Sequence, residues 1–241
     1  MNALLRALNR LLGPPYPAAR TWRRPAPNPD AWDPPGCDRV GEGFRLADMI
    51  CYQRGRYPPD VFDQFVSIDA DRFEHTTEYV RRCIEGLAFD FLIVAMEGST
   101  VKAGCMVEFR CGNGPPYLYI SSLCTDRRYG GQGLAHRMVD AVKALGLIML
   151  REKPQGYPIP GPLYIGLTVR KLESEKGIVD DVRLMKLYHQ CGLTTRTRRT
   201  PPFRYRSFTE SSIYNWDLDQ DSKYTAMWMQ VDAAAPRDGR L

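Results

Sequence analysis

The sequence predicts an α/β fold: a central mixed, mostly antiparallel sheet flanked by helices, behind a Pro-rich N-terminal arm. Three observations predict it. Residues 89–96, 101–109 and 117–124 are β-rich apolar runs joined by the turns 97–100 and 111–116, an antiparallel meander. The third run breaks into a glycine turn, residues 125–133, which opens directly into a helix. A further apolar run, 163–169, crosses back over that helix and so lies parallel to the strand before it.

With 241 residues the chain accommodates one domain of moderate size plus an arm, and its 44% hydrophobic and 25% charged residues are those of an ordinary soluble protein. The net charge of +5 is unevenly placed, because residues 1–29 hold Arg6, Arg10, Arg20, Arg23 and Arg24 and no acid. The rest of the chain is neutral overall. The 7 cysteines are odd in number and irregularly spaced, with no C-x-x-C pair, which argues against a disulfide framework or zinc site and for a reducing compartment. That points to an intracellular, cytoplasmic protein. His75, His136 and His189 lack metal-ligand spacing, so no metal is expected. No apolar run is long enough for a transmembrane helix.

In order, residues 1–12 put Leu4, Leu5, Leu8, Leu11 and Leu12 on one helical face, and Gly13-Pro14-Pro15 stops that helix. An amphipathic, Arg-rich start fits a mitochondrial presequence, a helix on an anionic membrane or in a partner's groove, or a short cap on the domain. Between residues 14 and 35 there are 8 prolines, an extended linker. The arm is thus assigned to residues 1–36, the folded domain to 37–232 and a frayed tail to 233–241. Residues 44–53 read as a first strand-to-helix segment, 57–59 as a loop, and 75–86 as a short helix with a threonine cap and a closing glycine. After the meander, Leu134, Met138, Val142, Leu145 and Met149 recur at helical spacing. Residues 155–162 form a Pro/Gly loop. Residues 179–191 read as a helix with Leu184, Leu187, Tyr188 and Cys191 on one face and Gly192 as its stop. Residues 194–199 and 224–231 supply a final strand pair.

The turn carries the chemistry. Gly130, Gly131 and Gly133 let the backbone turn tightly and approach a ligand. A helix N-terminus leaves N–H groups unpaired and carries partial positive charge, so this stretch is a ready site for a phosphate or pyrophosphate. It is neither a Walker A loop nor a Rossmann turn.

The form Arg128-x-x-Gly131-x-Gly133 resembles the coenzyme A loop of the GNAT N-acetyltransferase superfamily. Leu187-Tyr188-His189-Gln190-Cys191-Gly192-Leu193 is similar to that family's L-Y-x-x-x-G-F signature, with leucine for phenylalanine. The segment 92–104 also looks like its second and third strands. Across residues 40–231 the order of elements resembles the GNAT fold.

The resemblance implies an acyl-CoA-dependent N-acyltransferase, with acetyl-CoA as donor and a primary amine as acceptor. It implies that backbone N–H groups of Tyr129, Gly130, Gly131, Gln132, Gly133, Leu134 and Ala135 hold the pyrophosphate, with Arg128 opening the turn. Leu123, Cys124 and Thr125, at the end of a strand that splays from its neighbour, would bind the pantetheine arm and polarise the thioester carbonyl. Tyr188 would protonate the departing thiolate; taken alone it reads equally as a buried aromatic. Glu108 and His136 are both candidates for the base that deprotonates the amine, although Glu108 on an alternating strand also fits a solvent-facing position. Cys124 reads as a small buried hydrophobe. Asp181 stands where the family often has asparagine. Residues 194–208 contain Arg196, Arg198, Arg199, Arg204 and Arg206 with no acid, favouring an acidic acceptor, RNA or an anionic membrane. A GNAT-fold regulatory or binding module without turnover is the alternative.

Overall fold

The computed structural model describes residues 32–86, 89–112, 114–170, 172–174, 177–179, 181–195 and 224–232. The readings for residues 1–31, for the arginine-rich 196–208 and for 233–241 lie outside them.

Eight strands form one sheet in the order β1-β2-β3-β4-β5-β6-β7-β10: β1 (Arg39–Val40), β2 (Gly43–Leu46), β3 (Met49–Gln53), β4 (Phe91–Glu97), β5 (Thr100–Gly112), β6 (Gly114–Thr125), β7 (Tyr164–Arg170) and β10 (Tyr224–Gln230). A separate hairpin pairs β8 (Leu172–Ser174) with β9 (Gly177–Val179). Every neighbouring pair in the large sheet is antiparallel except β6 and β7. Thr194 extends the far edge by a bridge to Trp228. The meander and the parallel return strand are therefore where the sequence puts them.

Among the described residues four α-helices flank the sheet: α1 (Pro59–Phe73), α2 (Thr77–Gly86), α3 (Leu134–Glu152) and α4 (Val182–Gln190). On one face Phe44, Cys51, Phe91, Ile93, Cys105, Leu118 and Ile120 pack against Met138, Val142, Leu145 and Met149 of α3. This is the apolar stripe visible in the sequence. On the other face Val61, Phe65 and Val66 of α1 and Val80 and Ile84 of α2 cover Leu92, Val94, Met106 and Cys124. A third cluster of Tyr117, Tyr119 and Tyr164 sits further along β6 and β7.

Three readings are corrected. Residues 44–53 form the hairpin β2–β3, with a turn at Ala47-Asp48 where Ala47 has φ 53°. Phe44, Leu46, Met49 and Cys51 are all buried, a period of two within each strand. Pro59 lies in no loop but at the first position of α1, where its fixed φ suits a helix and its missing N–H costs nothing. The helix assigned to 179–191 starts at Val182, because the Asp181 carboxylate accepts the Leu184 N–H at 3.0 Å and caps it. The short helix before β4 has its expected threonine cap, Thr76 Oγ1 accepting the Tyr79 N–H at 3.2 Å.

Gly104 on β5 shows how closely α1 lies on the sheet. A Cβ there would stand 2.5 Å from Phe65 Cδ2, and Phe65 is fully buried. Gly104→Ala is expected to cost about 1–3 kcal/mol, the usual range for overpacking. A thermal melt reads it, and an unchanged melting temperature would contradict this packing.

Candidate functional site

The glycine turn is built from its first residue. Asp126 accepts the Arg128 N–H at 2.9 Å and grips the Arg128 side chain through Nε at 3.1 Å and Nη2 at 2.6 Å. This Arg128 hydrogen bonding holds the Asp126 carboxyl below the usual carboxylate range. One 3-10 turn, Arg127–Tyr129, follows. The Tyr129 N–H donates to Asp126 O and the Gly130 N–H to Arg127 O. Those two donors, expected to face a phosphate, are used within the loop.

The donors after them are not. Gly131 and Gly133 have φ 78° and 72°, left-handed values that favour glycine, and Gly133 is the N-cap of α3 without any side-chain cap. The first helical bond runs from the Arg137 N–H to Gly133 O. Among the described residues, no hydrogen bond takes up the N–H groups of Gly131, Gln132, Gly133, Leu134, Ala135 or His136. Space is also left open, since a Cβ added at Gly131 or Gly133 would meet nothing within 4 Å. The turn is solvent-exposed from Gly130 to Gly133 while Leu134 is buried.

The surrounding cations are engaged with carboxylates. Arg127 pairs with Asp71 at 2.9 Å, Lys102 with Glu97 at 2.8 Å, and Arg137 with Asp48. Anion binding here would thus rest on backbone N–H groups and the dipole of a 19-residue helix rather than on side-chain charge. A pyrophosphate fits the donors and the open space.

The strand leading into the turn splays as expected. β6 pairs with β7 only from Tyr117↔Tyr164 to Ile120↔Leu167, while β6 runs on to Thr125 and β7 to Arg170. Among the described residues Leu123, Cys124 and Thr125 pair only with β5, opposite Cys105, Gly104 and Ala103. No described strand pairs with their β7-facing edge, where an extended ligand could complete the sheet. The register against β5 slips between Met106↔Ser122 and Val107↔Ile120, leaving Ser121 as the extra residue of a bulge. The bulge flips the facing. Tyr117 and Tyr119 lie on the α1 side and Leu118 and Ile120 on the α3 side, yet Ser122 and Cys124 are again on the α1 side.

Tyr188 lies on the α3 side. It is buried in the same cluster as Cys105, Leu123 and Leu134, and its hydroxyl has no hydrogen-bond partner among the described residues. Burial pushes that hydroxyl well up, so it stays protonated at neutral pH. The structure thus gathers Tyr188, Leu123 and the start of α3 on one side of the sheet. Cys191 and Leu193 share the cluster, whereas Leu184 is 39% exposed.

Glu108 is on the other side and does not face solvent: it is 3% exposed. Arg110, two residues along the same strand, donates to Glu108 Oε2 through Nη2 at 2.7 Å and Nε at 3.1 Å. The Arg110 guanidinium also stands 4.3 Å from the Tyr119 ring centroid, and the Tyr119 hydroxyl meets Thr168 Oγ1 at 3.1 Å. His136 is partly exposed in the first turn of α3, the helix that packs on the opposite side of the sheet. Cys124 is buried and its thiol is pushed well up by burial, which makes it a packing residue.

Sequence reasoning missed two features. One is the bulge at Ser121, signalled only by a Ser-Ser pair inside an apolar strand. The other is Asp69 on α1, fully buried, which accepts the Ser122 hydroxyl on Oδ2. Its signal was an acid on the apolar face of α1, a stretch that the sequence reading left unassigned beyond Pro59. Among the described residues there is no group of side chains fit to hold a metal, and no helix long and apolar enough to cross a membrane.

These features define, among the described residues, a mixed-sheet α/β protein with an uncapped glycine turn that follows the strand of its parallel pair. No protein-family model matches the sequence, and no curated protein does. Solved structures do resemble it. GCN5 of Tetrahymena is 12% identical, over 73% of this chain and 88% of that one, with a TM-score of 0.45. An aminoglycoside 6'-N-acetyltransferase complexed with coenzyme A is 12% identical, over 76% of this chain and 97% of its own, with a TM-score of 0.45. The GCN5-related glucosamine N-acetyltransferase region of a fungal multi-domain GH3 β-N-acetylglucosaminidase is 14% identical over 64% of this chain, with a TM-score of 0.44, and the match spans 18% of that longer chain. At these identities and scores the likenesses carry no argument about chemistry. The sheet order, the glycine turn and the splayed parallel pair are those the GNAT resemblance implies, although the described residues open on strands rather than a helix.

Proposed function

We propose that this protein is an acyl-CoA-dependent N-acyltransferase that moves an acetyl group from acetyl-CoA to a primary amine by direct attack in a ternary complex. The observation that carries the reading is the conjunction at one place of the uncapped α3 N-terminus, the left-handed Gly131 and Gly133, and the β6 edge that leaves β7 after Ile120. The donors from Gly131 to Ala135 take the pyrophosphate, with Arg128 opening the turn. The open edge of Leu123, Cys124 and Thr125 takes the pantetheine arm, and a backbone N–H there stabilises the oxyanion as the amine adds. Tyr188, protonated and on the side of Leu123, gives its proton to the departing thiolate. Glu108 is the carboxylate candidate for the base, acting directly or through water.

The test is release of free coenzyme A from acetyl-CoA in the presence of a panel of primary amines. Tyr188→Phe is expected to lower amine-dependent release about a hundredfold or more, within the usual range for an acid catalyst, while acetyl-CoA affinity stays unchanged. Equal turnover in the two proteins would remove Tyr188 from the mechanism. A second reading is favoured by one observation: Arg110 already neutralises Glu108. In that reading the domain binds acyl-CoA as a regulatory module, and coenzyme binding without transfer to any amine would support it.

A further inference from the structure

We propose that Ser122 and Asp69 form the proton-accepting path for the acceptor amine, Ser122 touching the ammonium and Asp69 receiving its proton through the serine hydroxyl. This deepens the N-acyltransfer reading and rests on it. Three observations carry it.

The first is position. Ser122 follows the bulge residue Ser121 on the splayed part of β6, one residue before the open edge proposed to hold the thioester. α3 and Tyr188 pack on one side of that strand and α1 on the other, and Ser122, itself buried, lies on the α1 side, where the proposed path brings in the amine. There Ser122 marks the boundary between the cluster under α1, which contains Cys124, and the tyrosine cluster of Tyr117 and Tyr119.

The second is the state of the carboxylate. Asp69 is 0% exposed, its Oδ2 accepts the Ser122 hydroxyl, and its Oδ1 has no partner among the described residues. A buried carboxylate with one oxygen unsatisfied is poorly stabilised as an anion and is therefore a strong proton acceptor. Burial outweighs the Ser122 hydrogen bond and pushes its carboxyl up to about 6, nearer to a working neutral pH than an ordinary carboxylate. The titratable group that interacts with Asp69 is the Cys124 thiol of β6, kept protonated by burial, and Arg72 of α1 acts on that thiol.

The third is the contrast with Glu108, whose Oε2 accepts two bonds from the Arg110 guanidinium. That carboxylate is engaged with a cation, whereas the Asp69 carboxylate is met by a neutral hydroxyl.

The step balances. The ammonium gives a proton to Ser122 Oγ as the Ser122 hydroxyl proton passes to Asp69 Oδ2. The neutral amine then forms a C–N bond to give a tetrahedral intermediate with a positive nitrogen. The C–S bond breaks as Tyr188 protonates the thiolate, and the nitrogen gives up its second proton, which returns through water to the Tyr188 phenolate. Proton loss to solvent restores Asp69. Asp69, acting through Ser122, is a positioning and proton-holding residue.

The experiment measures coenzyme A release by the full chain with two amines at pH 7: ethanolamine, present as the ammonium, and hydroxylamine, already neutral. Asp69→Asn and Ser122→Ala are expected to lower transfer to ethanolamine about a hundredfold and to leave transfer to hydroxylamine and the acetyl-CoA melting shift close to wild type. Ser122→Thr, which keeps a hydroxyl, is expected to restore ethanolamine transfer, and the acid limb of the kcat/KM profile is expected to disappear in Asp69→Asn. Equal losses with both amines, or an unmoved acid limb, overturn the path and leave Asp69 a structural role. An acetyl-CoA melting shift without release by the wild type with these two amines or any amine of the panel overturns N-acyl transfer itself, and the path with it.

Discussion

Gly131→Glu is expected to yield a folded protein that no longer binds acetyl-CoA. Gly131 has φ 78° and nothing within 4 Å of the position its Cβ would take, so a side chain fits sterically into solvent. The cost to the fold is the left-handed backbone of a non-glycine residue, about 1–2 kcal/mol. The cost to the ligand is far larger. A carboxylate would stand at the mouth of the N–H donors of Gly131 to Ala135, where a pyrophosphate carries its charge, and among the described residues the nearby cations are already paired. Wild-type protein at a hundred times the dissociation constant should gain roughly 2.7 kcal/mol from acetyl-CoA, and the variant none. A saturable shift of wild-type size in Gly131→Glu would show that the coenzyme binds elsewhere.

Asp69→Asn is expected to stabilise the protein at and above neutral pH. The Asp69 carboxyl is pushed up to about 6 by burial, so the folded state holds its proton where the unfolded state has lost it. Its contribution is therefore fully present below the unfolded value of about 4 and is lost as pH rises through about 6, a change of about 3 kcal/mol across that window. Asparagine keeps an acceptor for Ser122 and carries no charge to desolvate. The two proteins should have similar unfolding free energies near pH 4 and diverge by about that amount at pH 8, with the variant more stable. A constant difference across pH would show that Asp69 is not buried as an ion. A gain in stability at a site where the proposed chemistry loses its proton acceptor is the trade expected of a functional buried acid.

How far the fold was legible follows from where the physics is local. The meander, the glycine turn and the α3 stripe are written in period-two and helical patterns confined to one segment, so they read directly. Pro58-Pro59 misled, because proline marks both a loop and the first position of a helix. What separates the two is the later spacing of Val61, Phe62, Phe65 and Val66. The Phe44 to Cys51 stretch is too short for its period to exclude a helix until the turn at Ala47 is known.

The site was legible in part for the same reason. The turn, the splayed strand and Tyr188 sit in local motifs. The Ser121 bulge depends on register against β5. The fate of Glu108 depends on Arg110 beside it on the same face, and the Asp69–Ser122 contact joins residues 53 positions apart. The bulge and the Asp69–Ser122 contact are not encoded within a single window of sequence, whereas Glu108 and Arg110 lie two residues apart on one strand and their pairing was open to reading.

The most direct measurement is a thermal melt of the full chain with increasing acetyl-CoA, with free adenine nucleotides as controls. A saturable rise that the nucleotides do not reproduce, and that Gly131→Glu abolishes, is the predicted result. No shift with acetyl-CoA or any longer acyl-CoA would contradict the assignment of the turn and splayed strand as an acyl-CoA site.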